Sequence, residues 1–232
     1  MGYLPVFLDV TRQPVLVVGG GLVAQRKVLA LLNAEADVTL ISPSVTDALL
    51  QLAADRRIRH LRRECVIGDV DGQALVFACT GDRALDERLA ERARALGIPI
   101  NVADEPELCT FIAPSVIRRG DLQIAISTSG ASPAMARRLR ERLEREFGEE
   151  HAAALELMRA ARVWLKERER DGAVRARVLE RLACSNLILT ISCGDIEAAN
   201  EIVIDTVGVD IESICPGFAA RLLRSQTAQI PG

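Results

Sequence analysis

Apolar residues in the first half of the chain gather into short runs rich in valine, isoleucine and leucine, and between these runs they recur every three or four positions. The short runs at 15–18, 37–41, 58–61, 74–79 and 98–103 predict buried strands, and an earlier one at 4–10 predicts a further short strand. The intervening stretches predict helices over 22 to about 33, about 45–54 and about 83–96. Val28, Leu29, Leu31 and Leu32 form the apolar face of the first helix, and Gly97 ends the third. Strands alternating with helices of this length imply an α/β fold with a doubly wound parallel sheet, whose ligands lie at the carboxyl ends of the strands.

The rhythm changes after Asp104. Residues 111–114 and 122–127 read as strands with no long helix between them or over them, so a partner chain is expected to bury them. A polar turn, 128–132, then places Ser132 as the cap and Pro133 as the first residue of a helix reaching about Phe147. Beyond it the chain reads helical at 152–170, 174–182 and 196 to about 207. The expected division is a nucleotide-binding domain at 1–113, a dimerisation and substrate segment at 114–150, and a helical domain at 151–232.

Chemistry enters at Pro14 to Arg26, PVLVVGGGLVAQR, where a β-branched strand runs into three glycines and restarts as a helix. Gly19-x-Gly21-x-x-Ala24 fits the dinucleotide fingerprint of a Rossmann-type sheet. One glycine makes the turn, one admits the pyrophosphate, and the small third residue lets helix and strand pack closely. The helix start at Leu22 and Val23 would aim free N–H groups at the phosphates. An acid usually follows the second strand to hold the ribose hydroxyls, but this chain has Ser42-Pro43-Ser44, so charge does not settle NAD against NADP. Thr80, Asn101, Val102 and Asp104 lie at other strand ends and are candidates for lining the cofactor cleft.

Composition narrows the class. At 232 residues the chain can bury one large core or two small ones, and a net charge of −3 gives no indication of a global nucleic-acid binder. No apolar run approaches the roughly 18 residues that span a bilayer, and the N-terminus lacks a basic leader region; the expectation is a soluble cytoplasmic protein without membrane partners. The six cysteines have no metal spacing, so no metal site is expected and the thiols should be free and mostly buried. His60 is expected to face outward from a strand, and His151 to lie exposed at a helix start.

Two segments together, VVGGGLVAQRK and NVADEPELCTFIAPSVIRRGDLQIAISTSGASPAMARRLRERLE, resemble the siroheme synthase N-terminal family. These are the NAD-dependent precorrin-2 dehydrogenases, some of which are also sirohydrochlorin ferrochelatases. The resemblance covers about residues 1–147. It implies NAD as cofactor, a tetrapyrrole substrate, ferrous iron as a further substrate where chelation occurs, and a homodimer interlocked through about 114–150. It also implies that the acid ending the fifth strand, Asp104, is the functional one. Two positions depart from the family: Glu35 stands where the first helix normally ends on glycine, and Thr128 where a serine is usual. The methyltransferase domain fused to some members has no room within this chain, so a separate enzyme is expected to supply the substrate.

Oxidation of such a macrocycle moves a hydride to the nicotinamide and a proton to a base, a task for the Asp104 carboxylate. The substrate's carboxylates call for cations and free N–H groups, and Arg118, Arg119, Arg137, Arg138 and the turn of Thr128, Ser129, Gly130 and Ser132 are the candidates. The competing class is an NAD(H)-sensing regulatory module without catalysis. Such a regulator would be expected to carry a DNA-reading element, and the C-terminal helices show no basic recognition helix.

Overall fold

In the computed structural model, which describes residues 2–227, the chain divides into two compact units, 1–113 and 114–232. The first is a five-stranded parallel sheet of β1 (Pro14–Val18), β2 (Asp37–Ile41), β3 (Arg59–Leu61), β4 (Leu75–Ala78) and β5 (Ile100–Val102), in the order β3-β2-β1-β4-β5. The strand order reverses between β1 and β4, which opens the binding crevice of this topology at the carboxyl end of β1. Helices α1 (Leu22–Leu32) and α2 (Asp47–Ala54) cover one face through Ala24, Val28, Leu31 and Leu49. On the other, α3 (Arg83–Leu96) packs Leu89, Ala90 and Ala93 against Leu16, Val76 and Ile100. Both faces of β1 and β4 are therefore buried, which is why their sequences are continuous apolar runs rather than alternating ones.

The predicted strand at 4–10 is not regular structure. Leu4, Val6, Phe7 and Leu8 are exposed and only Val10 is buried, so this run has no sheet edge to join. Beyond the end of α1, Glu35 takes the left-handed conformation that suits glycine (φ 58°), and its carbonyl accepts the Arg12 amide at 2.7 Å. His60 is not an outward residue either. It is partly buried, and its Nε2 donates to the Ser42 carbonyl at 3.0 Å.

The second unit opens with an antiparallel hairpin, β6 (Ser115–Arg119) and β7 (Leu122–Ile126). Residues 111–114, expected to be a strand, form irregular chain leading into it. The hairpin does not lack a cover of its own, as the sequence pattern implied: α4 (Pro133–Glu146) and α5 (Glu149–Arg168) pack on it and Ile117 is fully buried. Residues 114–150 thus share one compact unit with the helices that follow, α6 (Gly172–Ala183), α7 (Leu187–Ser192), α8 (Ile196–Val207), α9 (Ile211–Ile214) and α10 (Phe218–Thr227). Ala154, Leu157, Ala161 and Leu165 of α5 form the spine of this core, against Leu182, Leu187, Ile191, Val203 and Phe218. His151 is mostly buried against Phe147 and Glu150, not exposed. Among the described residues no helix is long and apolar enough to cross a membrane.

The glycine turn makes unequal demands on its three residues. A Cβ on Gly19, whose φ is +109°, would lie 2.2 Å from the Cys79 carbonyl oxygen; one on Gly20 would lie 1.9 Å from that of Ser44; one on Gly21 would meet nothing. Gly20→Ala should therefore lower the stability of the first unit by about 1–3 kcal/mol, and Gly21→Ala by less than about 1 kcal/mol. Glu35→Gly should add about 1 kcal/mol by removing the left-handed penalty. Calorimetric melting of the three variants ranks them, and equal melting temperatures for Gly20→Ala and Gly21→Ala would contradict the packing described.

Candidate functional site

The carboxyl ends of β1, β2, β4 and β5 form one edge, and the turns that leave it are fastened to one another. The Gly19 amide donates to the Ile41 carbonyl at 3.0 Å, the Cys79 amide to that of Val18 at 2.8 Å, and the Ala103 amide to that of Ala78 at 2.8 Å. Gly21 is the N-cap of α1 and no side chain caps the helix; the Gln25 amide is the first to find an intrahelical acceptor, Gly21. The N–H groups of Leu22, Val23 and Ala24 precede that first bond and lie at the positive end of the helix dipole. Gly21 and Leu22 are exposed, with open space where a Gly21 side chain would be. This is the shape and polarity that a dinucleotide's pyrophosphate needs.

Gly20, which the fingerprint leaves unspecified, joins the first turn to the loop after β2. Its carbonyl accepts the Thr46 amide at 3.0 Å, while the Thr46 hydroxyl donates to the Gln25 side chain at 2.7 Å and accepts from the Leu49 amide to cap α2. Ser42 is buried, its hydroxyl donating to the Ser44 carbonyl at 2.7 Å, so its proton is committed within the loop; Pro43 and Ser44 are exposed. From β3, His60 reaches the Ser42 carbonyl, and the exposed Arg62 donates from Nε to the Pro43 carbonyl at 3.3 Å.

Two predicted cofactor residues have structural employment. The Thr80 hydroxyl donates to the buried Asp86 at 2.7 Å and accepts the Asp82 amide at 2.9 Å, which shapes the start of α3. Burial raises the Asp86 carboxyl above its ordinary value, and the Thr80 hydrogen bond opposes that rise. Asn101 donates to the Phe111 carbonyl at 3.1 Å, while the Val102 amide donates to Cys109 Sγ at 3.2 Å. Together with Thr110, whose hydroxyl accepts the Ile100 amide at 2.8 Å, these bonds fold 105–111 back along β5.

Asp104 sits at the turn of that return. It is exposed, its backbone is left-handed (φ 63°), and its carboxylate has no hydrogen-bond or ion-pair partner among the described residues. Its charge helps to push up the nearby Cys79 thiol, although burial is the larger cause. Lys27, which sequence reasoning missed, lies half-buried on the same side, 5.2 Å from the centre of the Phe77 ring. Burial pulls its ammonium below the usual lysine value, and Cys79 partly offsets this. Only the position of Lys27 one turn after the fingerprint helix start could have flagged it.

The candidate substrate residues all lie in the second unit. Thr128 folds the 128–132 turn on itself, its hydroxyl donating to the Ser132 carbonyl and accepting the Ser132 amide. Ser129 and Gly130 have positive φ, and Ser132 caps α4 by accepting the Met135 amide. Arg119 is tied to the Glu144 carbonyl and paired with Glu149, which makes it a brace for the hairpin. Arg118 donates to Gln123, and Arg137 pairs with Glu141. Arg138 is exposed and has no partner among the described residues. A cavity of about 830 Å³ between α5, α9, α10 and the hairpin turn is lined by none of these residues. No group of histidines, cysteines or acids among the described residues could hold a metal ion, and the six cysteines are free.

Comparison with known proteins places this geometry. Residues 6–115 match the family model described as putative NAD(P)-binding, and residues 119–146 match that of the sirohaem biosynthesis protein central region. The siroheme synthase of Thioalkalivibrio sulfidiphilus (strain HL-EbGR7) is 40% identical over 201 residues, covering 87% of this chain and 41% of the relative. That of Methylococcus capsulatus (strain ATCC 33009 / NCIMB 11132 / Bath) is 47% identical over 145 residues, covering 62% of this chain and 30% of the relative. The chain thus spans well under half the length of the curated relatives it matches. The solved structure of SirC, precorrin-2 dehydrogenase, shares the fold with a TM-score of 0.71 at 23% identity, over 91% of this chain and 100% of that one.

The thiols near the cleft should be unreactive at neutral pH. Burial pushes Cys65 up to about 12 and Cys79 to about 11, whereas Cys184 and Cys193 are exposed. At pH 8, alkylation followed by mass spectrometry should label Cys184 and Cys193 first; relative to an ordinary thiol, the thiolate fraction falls by on the order of 100-fold at Cys79 and on the order of 1000-fold at Cys65. Early labelling of Cys79 would contradict the closed packing at the end of β4.

Proposed function

We propose, from the premise that this chain belongs to the siroheme synthase N-terminal family, that it oxidises precorrin-2 to sirohydrochlorin with NAD as hydride acceptor. One juxtaposition carries the reading: the uncapped start of α1 and the unpartnered carboxylate of Asp104 stand on the same edge of one sheet. Their strands, β1 and β5, are separated only by β4, so about 10 Å divides them. That is the span of a cofactor lying across strand ends with a base at its reacting end.

The residues divide the task. Gly21 leaves room for the pyrophosphate, and the N–H groups of Leu22 and Val23 face it. When bound, the nicotinamide supplies the acceptor for a hydride leaving the macrocycle. Asp104 takes the accompanying proton: it is exposed to substrate, it has no competing partner, and the fold-back of 105–111 holds it in place. Arg138, exposed and without a partner among the described residues, is proposed as a cation for carboxylates. The same carboxylate is proposed to relieve sirohydrochlorin of its pyrrole protons as ferrous iron enters, with iron as a substrate. The proposed assembly is a homodimer, supported by the apolar stripe that Met135 and Leu139 leave exposed on α4.

The test is incubation with precorrin-2 and NAD, followed by absorbance, and then addition of ferrous iron. Asp104→Asn, which keeps the shape and removes the base, should leave NAD affinity within about twofold and slow oxidation by about 10²–10⁴-fold. Oxidation at the unmodified rate would place the base elsewhere, and failure of iron insertion alone would make Asp104 a metal-handling residue. Light scattering should report a dimer that Leu139→Asp dissociates; a monomer at micromolar concentration in the unmodified protein would refute the assembly.

A further inference from the structure

We infer that the loop after β2 admits the 2′-phosphate of NADP, held by Arg62, so that this chain takes NADP as well as NAD. The inference rests on the nicotinamide-cofactor reading above and goes beyond it.

In this fold the segment that follows β2 meets the adenosine ribose. A carboxylate there binds the ribose hydroxyls of NAD and repels a 2′-phosphate, whereas an arginine nearby accommodates that phosphate. Here Ser42-Pro43-Ser44 supplies no carboxylate, and the one hydroxyl proton at Ser42 is committed to the Ser44 carbonyl. A cation is present at the same place. The Arg62 Nε donates to the Pro43 carbonyl at 3.3 Å, which holds the guanidinium beside the exposed Pro43 and Ser44.

Arg62 is distinguished from its neighbour by its lack of an acid partner. Arg63 is held on both oxygens of Asp69, at 2.8 and 2.6 Å. Arg62 makes no ion pair among the described residues, and only its Nε is engaged, which leaves its two terminal nitrogens to form the planar fork that suits a phosphate. The loop beneath it is fixed before any ligand arrives: the Ser42 amide donates to the Leu61 carbonyl at 3.3 Å, and His60 donates to the Ser42 carbonyl. A cation on a fixed loop loses little freedom when it binds its anion.

Calorimetric titration of the full chain with NAD and NADP, and with ADP and 2′,5′-ADP, reads the phosphate directly and needs no turnover. NADP should bind within about tenfold of NAD. Arg62→Gln keeps an N–H within reach of the Pro43 carbonyl and removes the charge; it should weaken NADP and 2′,5′-ADP by roughly ten- to hundredfold more than NAD and ADP. Ser44→Asp, on the exposed rim, should discriminate in the same direction by restoring the missing carboxylate, and it guards against misfolding of the first variant. The inference is overturned if the unmodified protein binds NADP more than a hundredfold more weakly than NAD, or if Arg62→Gln weakens both cofactors equally. Binding of neither cofactor would instead sink the dehydrogenase reading itself.

Discussion

Two backbone oxygens, of Cys79 and Ser44, press against the turn that leaves β1, and the first unit is arranged around that closeness. At Gly19 and Gly20 there is no volume for even a methyl group. Because nothing stands between them, the loop after β2 and the end of β4 close directly on β1, and α1 starts at the strand ends. The next residue, Gly21, opens outward. Crowding on the inside and space on the outside come from three identical residues in a row, and the binding edge is the consequence.

The fold was legible where a single physical cause dominates. The boundaries of β2 and α3 follow from burial on both faces and from an Asp82 cap paired with a Gly97 stop. The sequence misled where a local apolar pattern lacked a structural neighbour: 4–10 has the composition of a strand but nothing to pair with, and its large side chains stay in water. The reverse held for the hairpin, whose cover comes from α4 and α5, later in the chain than a βα rhythm would place it. The short helices α7, α9 and α10 were invisible because four to ten residues carry too little periodicity to separate a helix from an apolar loop.

The site was legible at its backbone and less so at its side chains. The glycine pattern and the strand-end position of Asp104 could be read from spacing. That Thr80 is spent on Asp86, Asn101 on Phe111, and Arg119 on Glu144 could not, since each depends on a partner 6 to 25 residues away. Motif reading names residue types at a place; it cannot tell whether their hydrogen-bonding groups are already in use. The same limit hid Gly20 and Lys27, which carry no label in the fingerprint yet respectively hold and border the cleft.

The left-handed backbone at Asp104 restricts what can replace it. Asn and Asp are the side chains best tolerated there, and longer or branched ones are strained. An exchange to Glu would keep the charge but meet a conformational penalty and a longer reach, while an exchange to Asn would keep the turn and lose the proposed base. The position therefore favours short polar side chains. Under the proposed role, a library built here would return folded, inactive proteins from Asn, and a different acid would have to carry the left-handed penalty of the turn as well as its own reach.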